Sequence, residues 1–252
     1  MMKKISVITI VFNDKEGLEE TILSVIGQTF DSLEYIIIDG GSSDGTVDII
    51  KKYERRIDKW VSESDKGVYD AMNKGIKMAT GEWLCMMNAG DKFASSNVLE
   101  EVFHLAIPNE KAFLYSNYYG MRPNGKKVLR KLSFREGNLI HQAIIYRRSL
   151  HAEHGYYVVT PKIIISDYLF FIRIPESQVM KIDPVIAIYK GGGISSVGNW
   201  SREQAICADV VFRRRTFGGM IRYYIWKRIK SIVPIDVKDQ IKKLFAREGE
   251  AI

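Results

Sequence analysis

The stretch Ile5-Ser-Val-Ile-Thr-Ile-Val-Phe12, followed at once by Asn13-Asp14, decides the fold. Eight residues this apolar and β-branched, closed by polar ones, read as a parallel strand covered on both faces. Lys3 and Lys4 imitate the start of a signal peptide, but no small-x-small cleavage site follows. Outward from this strand the pattern alternates. Asn13 opens an Asn-x-x-Glu cap, and Leu18, Ile22, Val25 and Ile26 recur at helical spacing. Tyr35 to Ile38 reads as a second buried strand, Val47 to Tyr53 as a helix and Lys59 to Ser62 as a third strand. Gly67 to Ala79 is helical by the spacing of Val68, Ala71, Met72, Ile76 and Ala79, and Trp83 to Met87 is a fourth strand. Repeated β-α units imply an α/β fold with a mostly parallel central sheet flanked by helices. Ligands of such sheets sit at the carboxyl ends of the strands.

The second half is less regular. Phe113 to Tyr119 and Lys127 to Ser133 predict a hairpin around Pro123-Asn-Gly125. Tyr168 to Ile174 predicts a short apolar helix opened by Ser166-Asp167, and Val179 to Tyr189 a late strand leading into Gly191-Gly-Gly-Ile-Ser195.

Composition narrows the class. A chain of 252 residues, 46% hydrophobic and 27% charged with 6 Pro, can bury a large core and is neither disordered nor fibrous. Cys85 and Cys207 lack zinc or redox spacing, so a reduced, cytoplasmic setting is expected. The net charge of +7 is unevenly spread: Arg213 to Arg247 holds eleven Lys/Arg against two Asp/Glu, which leaves the rest of the chain near neutral. That distribution argues against a nucleic-acid binder and sets a basic tail, 213–252, apart from a body, 1–212. No apolar run approaches the ~18 residues of a membrane-spanning helix.

Polar residues gather where strands end: Thr9, Asn13, Asp39, Asp65, Asn88 and Asp91. The loop Asp39-Gly-Gly-Ser-Ser-Asp-Gly-Thr46 is no dinucleotide fingerprint, since Ser42 stands where a glycine is needed, and no Gly-Lys-Ser/Thr of a phosphate loop exists. A carboxylate at that strand end can accept hydrogen bonds from a base or a ribose. Asn88-Ala-Gly-Asp91 reads either as a plain turn or as a place where a carboxylate holds Mg²⁺ or Mn²⁺ together with substrate phosphates.

Five motifs in order then resemble glycosyltransferase family 2: Ile5 to Asn13, Ile38 to Thr46, Asp70-Ala-Met-Asn-Lys-Gly75, Ala79-Thr-Gly-Glu82 and Met87 to Asp91. The resemblance spans about residues 3 to 200. It implies the GT-A fold and inverting transfer of a sugar from a nucleoside-diphosphate donor, usually UDP-linked. The receiver would be a hydroxyl of a glycan or lipid-linked acceptor in surface polysaccharide synthesis. By the same resemblance Thr9, Val11 and Asn13 line the nucleotide pocket, Asp39 reads the base, and Asp65 and Asn73 close around the donor. Asp91 matches the last acid of the metal motif, although Asn88 and Gly90 stand where many members carry acids, and Asn88, Ala89 and Gly90 fall in the donor/acceptor loop. Asp167 matches the late acidic position at a helix start and would be the catalytic base; on its own it also reads as a helix cap. His141-Gln142 falls near the acceptor, and Gly192, Gly193 and Ser195 near the donor phosphates. His141 alone also reads as structural, and the glycines as a plain loop.

In the tail, Ile221, Tyr224, Ile225, Ile229, Ile232 and Val233 recur at near-helical spacing among Arg222, Lys227 and Lys230, and Pro234 interrupts them. Val237, Ile241, Leu244 and Phe245 begin a second basic amphipathic segment. Such helices suit an anionic membrane surface, here the inner face of the cytoplasmic membrane; the alternative is a helix packed on the body. Two other functions compete with the transferase reading. A non-catalytic nucleotide-sugar or glycan-binding module would tolerate the thinned acidic motif. A sugar-nucleotide pyrophosphorylase would need a glycine- and arginine-rich loop after the first strand, and Val11-Phe-Asn-Asp14 offers none.

Overall fold

A computed structural model of the protein describes residues 4–122, 124–192 and 200–232. Every residue of β1 (Ile5–Val11) is buried, as expected of a central strand. It is followed by α1 (Lys15–Ile26), β2 (Leu33–Asp39), α2 (Thr46–Lys52), β3 (Lys59–Ser62), α3 (Val68–Met78) and β4 (Trp83–Met86). β1 pairs in parallel with β2 and with β4, and β2 in parallel with β3. Next come β5 (Lys92–Phe93), α4 (Val98–His104), β6 (Phe113–Tyr115), β7 (Tyr118–Met121), β8 (Lys127–Arg130) and β9 (Ile144–Arg147). Then follow α5 (Leu150–His154), α6 (Ser166–Phe171), β10 (Val179–Lys181) and β11 (Ala187–Tyr189). The seven-stranded sheet runs β10-β6-β9-β4-β1-β2-β3, and β9 is antiparallel to both of its neighbours. A second sheet, β5-β11-β7-β8, has four strands.

Alternate residues of the strands feed two cores. Ile8, Ile10, Ile36 and Ile38 pack with Met72 and Ile76 of α3 and with Phe170 and Phe171 of α6. Val7, Val11 and Ile37 pack with Leu18, Ile22 and Val25 of α1, Ile50 of α2 and Leu99 of α4. The layered α/β architecture matches the expectation from the sequence. Gly75 shows how close the layers come: a Cβ there would lie 2.4 Å from Cγ2 of Ile8.

Local departures have physical reasons. Asn13 does not cap α1. It adopts φ of 50°, and Asp14 caps instead by accepting from the Gly17 N–H. The expected first arm of the hairpin is broken after Tyr115: β6 is buried in the main sheet, and the hairpin is β7 with β8. The late strand also divides, β10 joining the large sheet and β11 the small one, with Pro184 lying between them and unable to donate to a ladder. Short β5 and β9 and the helices α4 and α5 carried no clear periodic signal.

Chain contacts separate two compact units, Met1–Gly198 and Asn199–Ile252. The second contains α7 (Trp200–Val211) and α8 (Phe217–Ile232), so the boundary lies ahead of α7 rather than at Arg213. Two arginine backbone N–H groups, from Arg214 and Arg215, bond to the Asp209 carbonyl and turn the chain from α7 toward α8. The expected second amphipathic segment, from Val237 to Phe245, lies outside the described residues.

One buried charge ties the sheet's edge together. Glu34 on β2 is almost fully buried and accepts from the Ser6 hydroxyl, from both the N–H and hydroxyl of Thr80, and pairs with Lys59 at 2.8 Å. Burial opposes its ionisation, but the Lys59 and Ser6 bonds and the Thr80 donors outweigh that and lower its pKa to about 2. A depressed carboxyl contributes stability that is present above the unfolded value, near 4.5, and is lost as pH falls toward 2. Glu34→Ala is expected to cost roughly 2–3 kcal/mol at pH 7 and to flatten the acid limb of stability between pH 5 and pH 2. Chemical denaturation across that pH range measures both.

Candidate active site

At the carboxyl ends of β1 and β2 the loops are zipped together. The Asn13 N–H donates to Ser42 Oγ (2.7 Å), and the Asn13 carboxamide oxygen accepts from the Ser43 N–H (2.9 Å). Asp39, fully buried, accepts from the Ser42 N–H and from the hydroxyls of Ser42 and Ser62. Both carboxylate oxygens are thus engaged by donors of the protein itself. Asp65 stands nearby, paired with Lys74 of α3 (2.5 Å).

Thr9, Val11 and Asn73 are placed differently from the expectation. Thr9 is sealed inside the sheet, its hydroxyl donating to the Met87 carbonyl (2.8 Å), and Val11 packs into the core beneath α1. Both side chains are buried in the body of the sheet. Asn73 faces away from Asp65. Its amide brackets the Tyr157 backbone, donating to the carbonyl (2.8 Å) and accepting from the N–H (3.0 Å), because α3 turns Asn73 and Lys74 to different sides.

Past the end of β4, Asn88 to Asp91 form a turn with Gly90 at φ of 90°. Thr21 of α1 pins it, its hydroxyl reaching the Asp91 carbonyl (2.7 Å) and accepting from the Gly90 N–H (3.0 Å). The Asp91 carboxylate is buried; one oxygen accepts from the Lys190 N–H (3.0 Å) and the other from Gln142 Nε2 (2.6 Å). Burial raises its pKa above the ordinary carboxyl value, and the Lys190 and Gln142 donors offset this only in part. The side chain of Lys190 lies over Gly90, where an added Cβ would meet its Cδ at 2.9 Å. Gly192, two residues on, is exposed with φ of 85°, and Gly193 and Ser195 lie outside the described residues.

Asp167 does not cap its helix. It lies in the first turn of α6, after Ile165 at the cap position, and its side chain turns inward. One oxygen accepts from the Tyr69 hydroxyl (2.8 Å) and the other faces His141 Nδ1 (3.0 Å). His141 Nε2 in turn faces the Asn88 amide nitrogen (2.9 Å). Burial would raise the Asp167 pKa, yet the hydrogen bonds from His141 and Tyr69 leave it below the ordinary value. The two aspartates therefore differ in kind: Asp167 is held ionised, and Asp91 resists ionisation unless positive charge arrives.

The structure thus gathers Asn13, Asp39 and Asp65 at one end and Asn88, Asp91, His141 and Asp167 at the other. Thr21, Tyr69 and Lys190 were not singled out as site residues from the sequence, and Gln142 only together with His141. Tyr69 lies just before the Asp70 motif and Gln142 beside His141; Thr21 and Lys190 carried no signal.

A GT-A arrangement of this kind defines a nucleotide-sugar transferase fold. Residues 6–168 match Glycosyl transferase family 2, and the chain belongs to that family. It is 32% identical over 203 residues to the PGL/p-HBAD biosynthesis glycosyltransferase of Mycobacterium bovis, covering 76% of this chain and 78% of that one. Over 124 residues it is 32% identical to the putative teichuronic acid biosynthesis glycosyltransferase TuaG of Bacillus subtilis, covering 48% and 49% of the two chains. Among solved structures, S. aureus TarS in complex with UDP-GlcNAc superposes with a TM-score of 0.68 at 19% identity, over 83% of this chain and 65% of that one. The mannosyltransferase PcManGT of Pyrobaculum calidifontis, in complex with GDP-Man and Mn²⁺, gives 0.67 at 14% identity over 96% and 79%.

Asp91 is a single buried carboxylate, and among the described residues no group of three or more His, Cys, Asp or Glu could hold a metal ion. Because its folded-state pKa is raised, Asp91 contributes stability only below the ordinary carboxyl range, and that contribution is lost as pH rises through the raised value. Asp91→Asn should therefore leave the melting temperature at pH 7.5 unchanged or higher, and UDP with Mn²⁺ is expected to raise the melting temperature of the wild type but not of the variant. Differential scanning fluorimetry of both proteins, with and without the two additives, checks this.

Proposed function

We propose that the protein is an inverting hexosyltransferase that moves a sugar from a UDP-linked donor to a hydroxyl of a lipid-linked or oligosaccharide acceptor in surface-glycan synthesis. One observation carries the reading: adjacent residues of one turn, His141 and Gln142, grip an ionised aspartate and a buried one. An inverting transfer needs such a pair, one carboxylate to receive the acceptor's proton and one on the side of the leaving diphosphate. The names of relatives in PGL/p-HBAD and teichuronic acid biosynthesis support a glycolipid or polysaccharide acceptor. The UDP-GlcNAc complex of TarS supports a uridine donor.

In this reading the acceptor oxygen attacks the anomeric carbon as its bond to the diphosphate breaks, and the acceptor's proton passes to Asp167. Asp39 accepts an N–H of the base in place of a serine hydroxyl. The Lys190 ammonium meets the negative charge that develops on the diphosphate. A Mn²⁺ or Mg²⁺ ion held at Asp91 would add Lewis-acid neutralisation of that leaving group.

Asp167→Asn is expected to lower turnover by about 10²- to 10⁴-fold with the fold intact. UDP release from a panel of UDP-hexoses, with GDP- and dTDP-sugars as controls, measures it. Near-wild-type turnover would remove Asp167 as the base, and binding without any transfer would favour the non-catalytic module.

The same proposal places the enzyme peripherally on the inner face of the cytoplasmic membrane. No described helix is long and apolar enough to cross a membrane. α8 instead exposes Phe217 (62%), Ile221, Tyr224 and Ile225 (51%) beside exposed Arg222 and Arg228, an amphipathic basic surface suited to anionic lipid. Co-sedimentation should rise several-fold between neutral vesicles and vesicles with about one third phosphatidylglycerol, and truncation after Arg215 should abolish it. Binding indifferent to both changes counts against the membrane role.

A further inference from the structure

The antiparallel pairing of β9 with β4 has a geometric result. Cys85 stands opposite Ile145, so the residues that leave β4 lie beside the residues that enter β9. The first group is Asn88 to Asp91, and the second is the 3₁₀ turn His141–Ala143. That turn is held by the Ile144 N–H bonding back to the His141 carbonyl, and Gln142 and Ala143 are buried.

We propose that His141 is a positioning residue of the transfer reaction: its imidazole, tied to the Asn88 amide, aims the Asp167 carboxylate from the same rigid turn through which Gln142 aims Asp91. This deepens the reading of Asp167 as the base and rests on it. The direction of the hydrogen bonds follows from the donor inventory. The Asn88 amide nitrogen only donates, so Nε2 accepts and the ring hydrogen lies on Nδ1, pointing at Asp167. Asp167 thus receives an N–H from the ring.

With Tyr69 on its other oxygen, Asp167 cannot rotate without breaking a bond, yet its side chain retains 19% exposure through which an acceptor hydroxyl can approach. The titratable groups that face it are His141 from the turn and Tyr69 from α3. Tyr157 and, from β9, Tyr146 lie deeper within its field, while Asp91 faces the turn from the far side. Of these, His141 supplies the largest effect that keeps the carboxylate ionised against burial.

The two amide replacements of His141 separate its two bonds. Asparagine can place an N–H near the position of Nδ1, toward Asp167; glutamine reaches toward Asn88 and leaves Asp167 without that donor. The test is a titration of ¹³Cγ-labelled aspartate followed by NMR, with the Asp167 signal assigned by its loss in Asp167→Asn, in full-length wild type, His141→Asn and His141→Gln. UDP release from the UDP-hexose panel is followed across pH in parallel, with melting temperatures as the folding control. In His141→Gln the Asp167 titration and the acid limb of turnover should both move up by about one pH unit. Turnover should fall about tenfold or more while the KM for donor changes less than twofold. His141→Asn should restore most of the turnover and the lower titration.

An Asp167 titration that is the same in all three folded proteins overturns the proposal. So does an equal loss of turnover in both variants with the acid limb unmoved, because that is what a merely structural histidine would give. If Asp167→Asn keeps its turnover, the base assignment fails instead, and the NMR titration still decides whether His141 orients the carboxylate.

Discussion

The ladder that β1 makes with β2 and β4 is the constraint from which the rest follows. β1 is dry on both faces, paired along all seven residues with β2 and along four with β4. A slip of one residue would send Ile8 and Ile10 to the face of Val7 and Thr9 and empty both cores at once, so the register is fixed. With the register fixed, the loops after the three strands must emerge at one edge. Asn13, Asp39 and Asn88 are neighbours for that reason, and the hydrogen bonds of Asn13 to Ser42 and Ser43 are its local expression.

The chemistry comes from a single reversal in that sheet. β9 runs against β4 and β6, and so returns a histidine and a glutamine to the edge where parallel strands have left aspartates. Two carboxylates of identical intrinsic acidity are then pushed apart by their partners. Asp91, buried behind neutral donors, is raised, and Asp167, beside His141 and Tyr69, is lowered. One is suited to meet a cation and the other to accept a proton, a division of labour set by environment alone. Helix α3 serves both ends. It sends Lys74 to Asp65 and, one turn apart on another side, Tyr69 to Asp167 and Asn73 to the Tyr157 backbone.

Gly90 accounts for the thinness of the acidic motif. The turn after β4 takes φ of 90° there and lets Lys190 lie across the backbone, a conformation and a closeness that a side chain would disturb. Positive charge from Lys190 thus stands where the resemblance would have placed another acid.

The sequence by itself determined the parallel β-α order, the strand ends where polar residues collect, and the family, because hydrophobic period and contiguous motifs are local properties that survive without tertiary context. Asp39, Asp91 and Asp167 could be named as candidates for the same reason. Tertiary structure alone decided that Thr9 and Val11 point inward, that Asn73 turns from the pocket, and that Tyr69, His141 and Gln142 grip the two aspartates. Those outcomes depend on which face of a strand or helix is covered and on β9 running antiparallel. His141 meets Asp167 across 26 residues and Gln142 meets Asp91 across 51, contacts that no local pattern encodes.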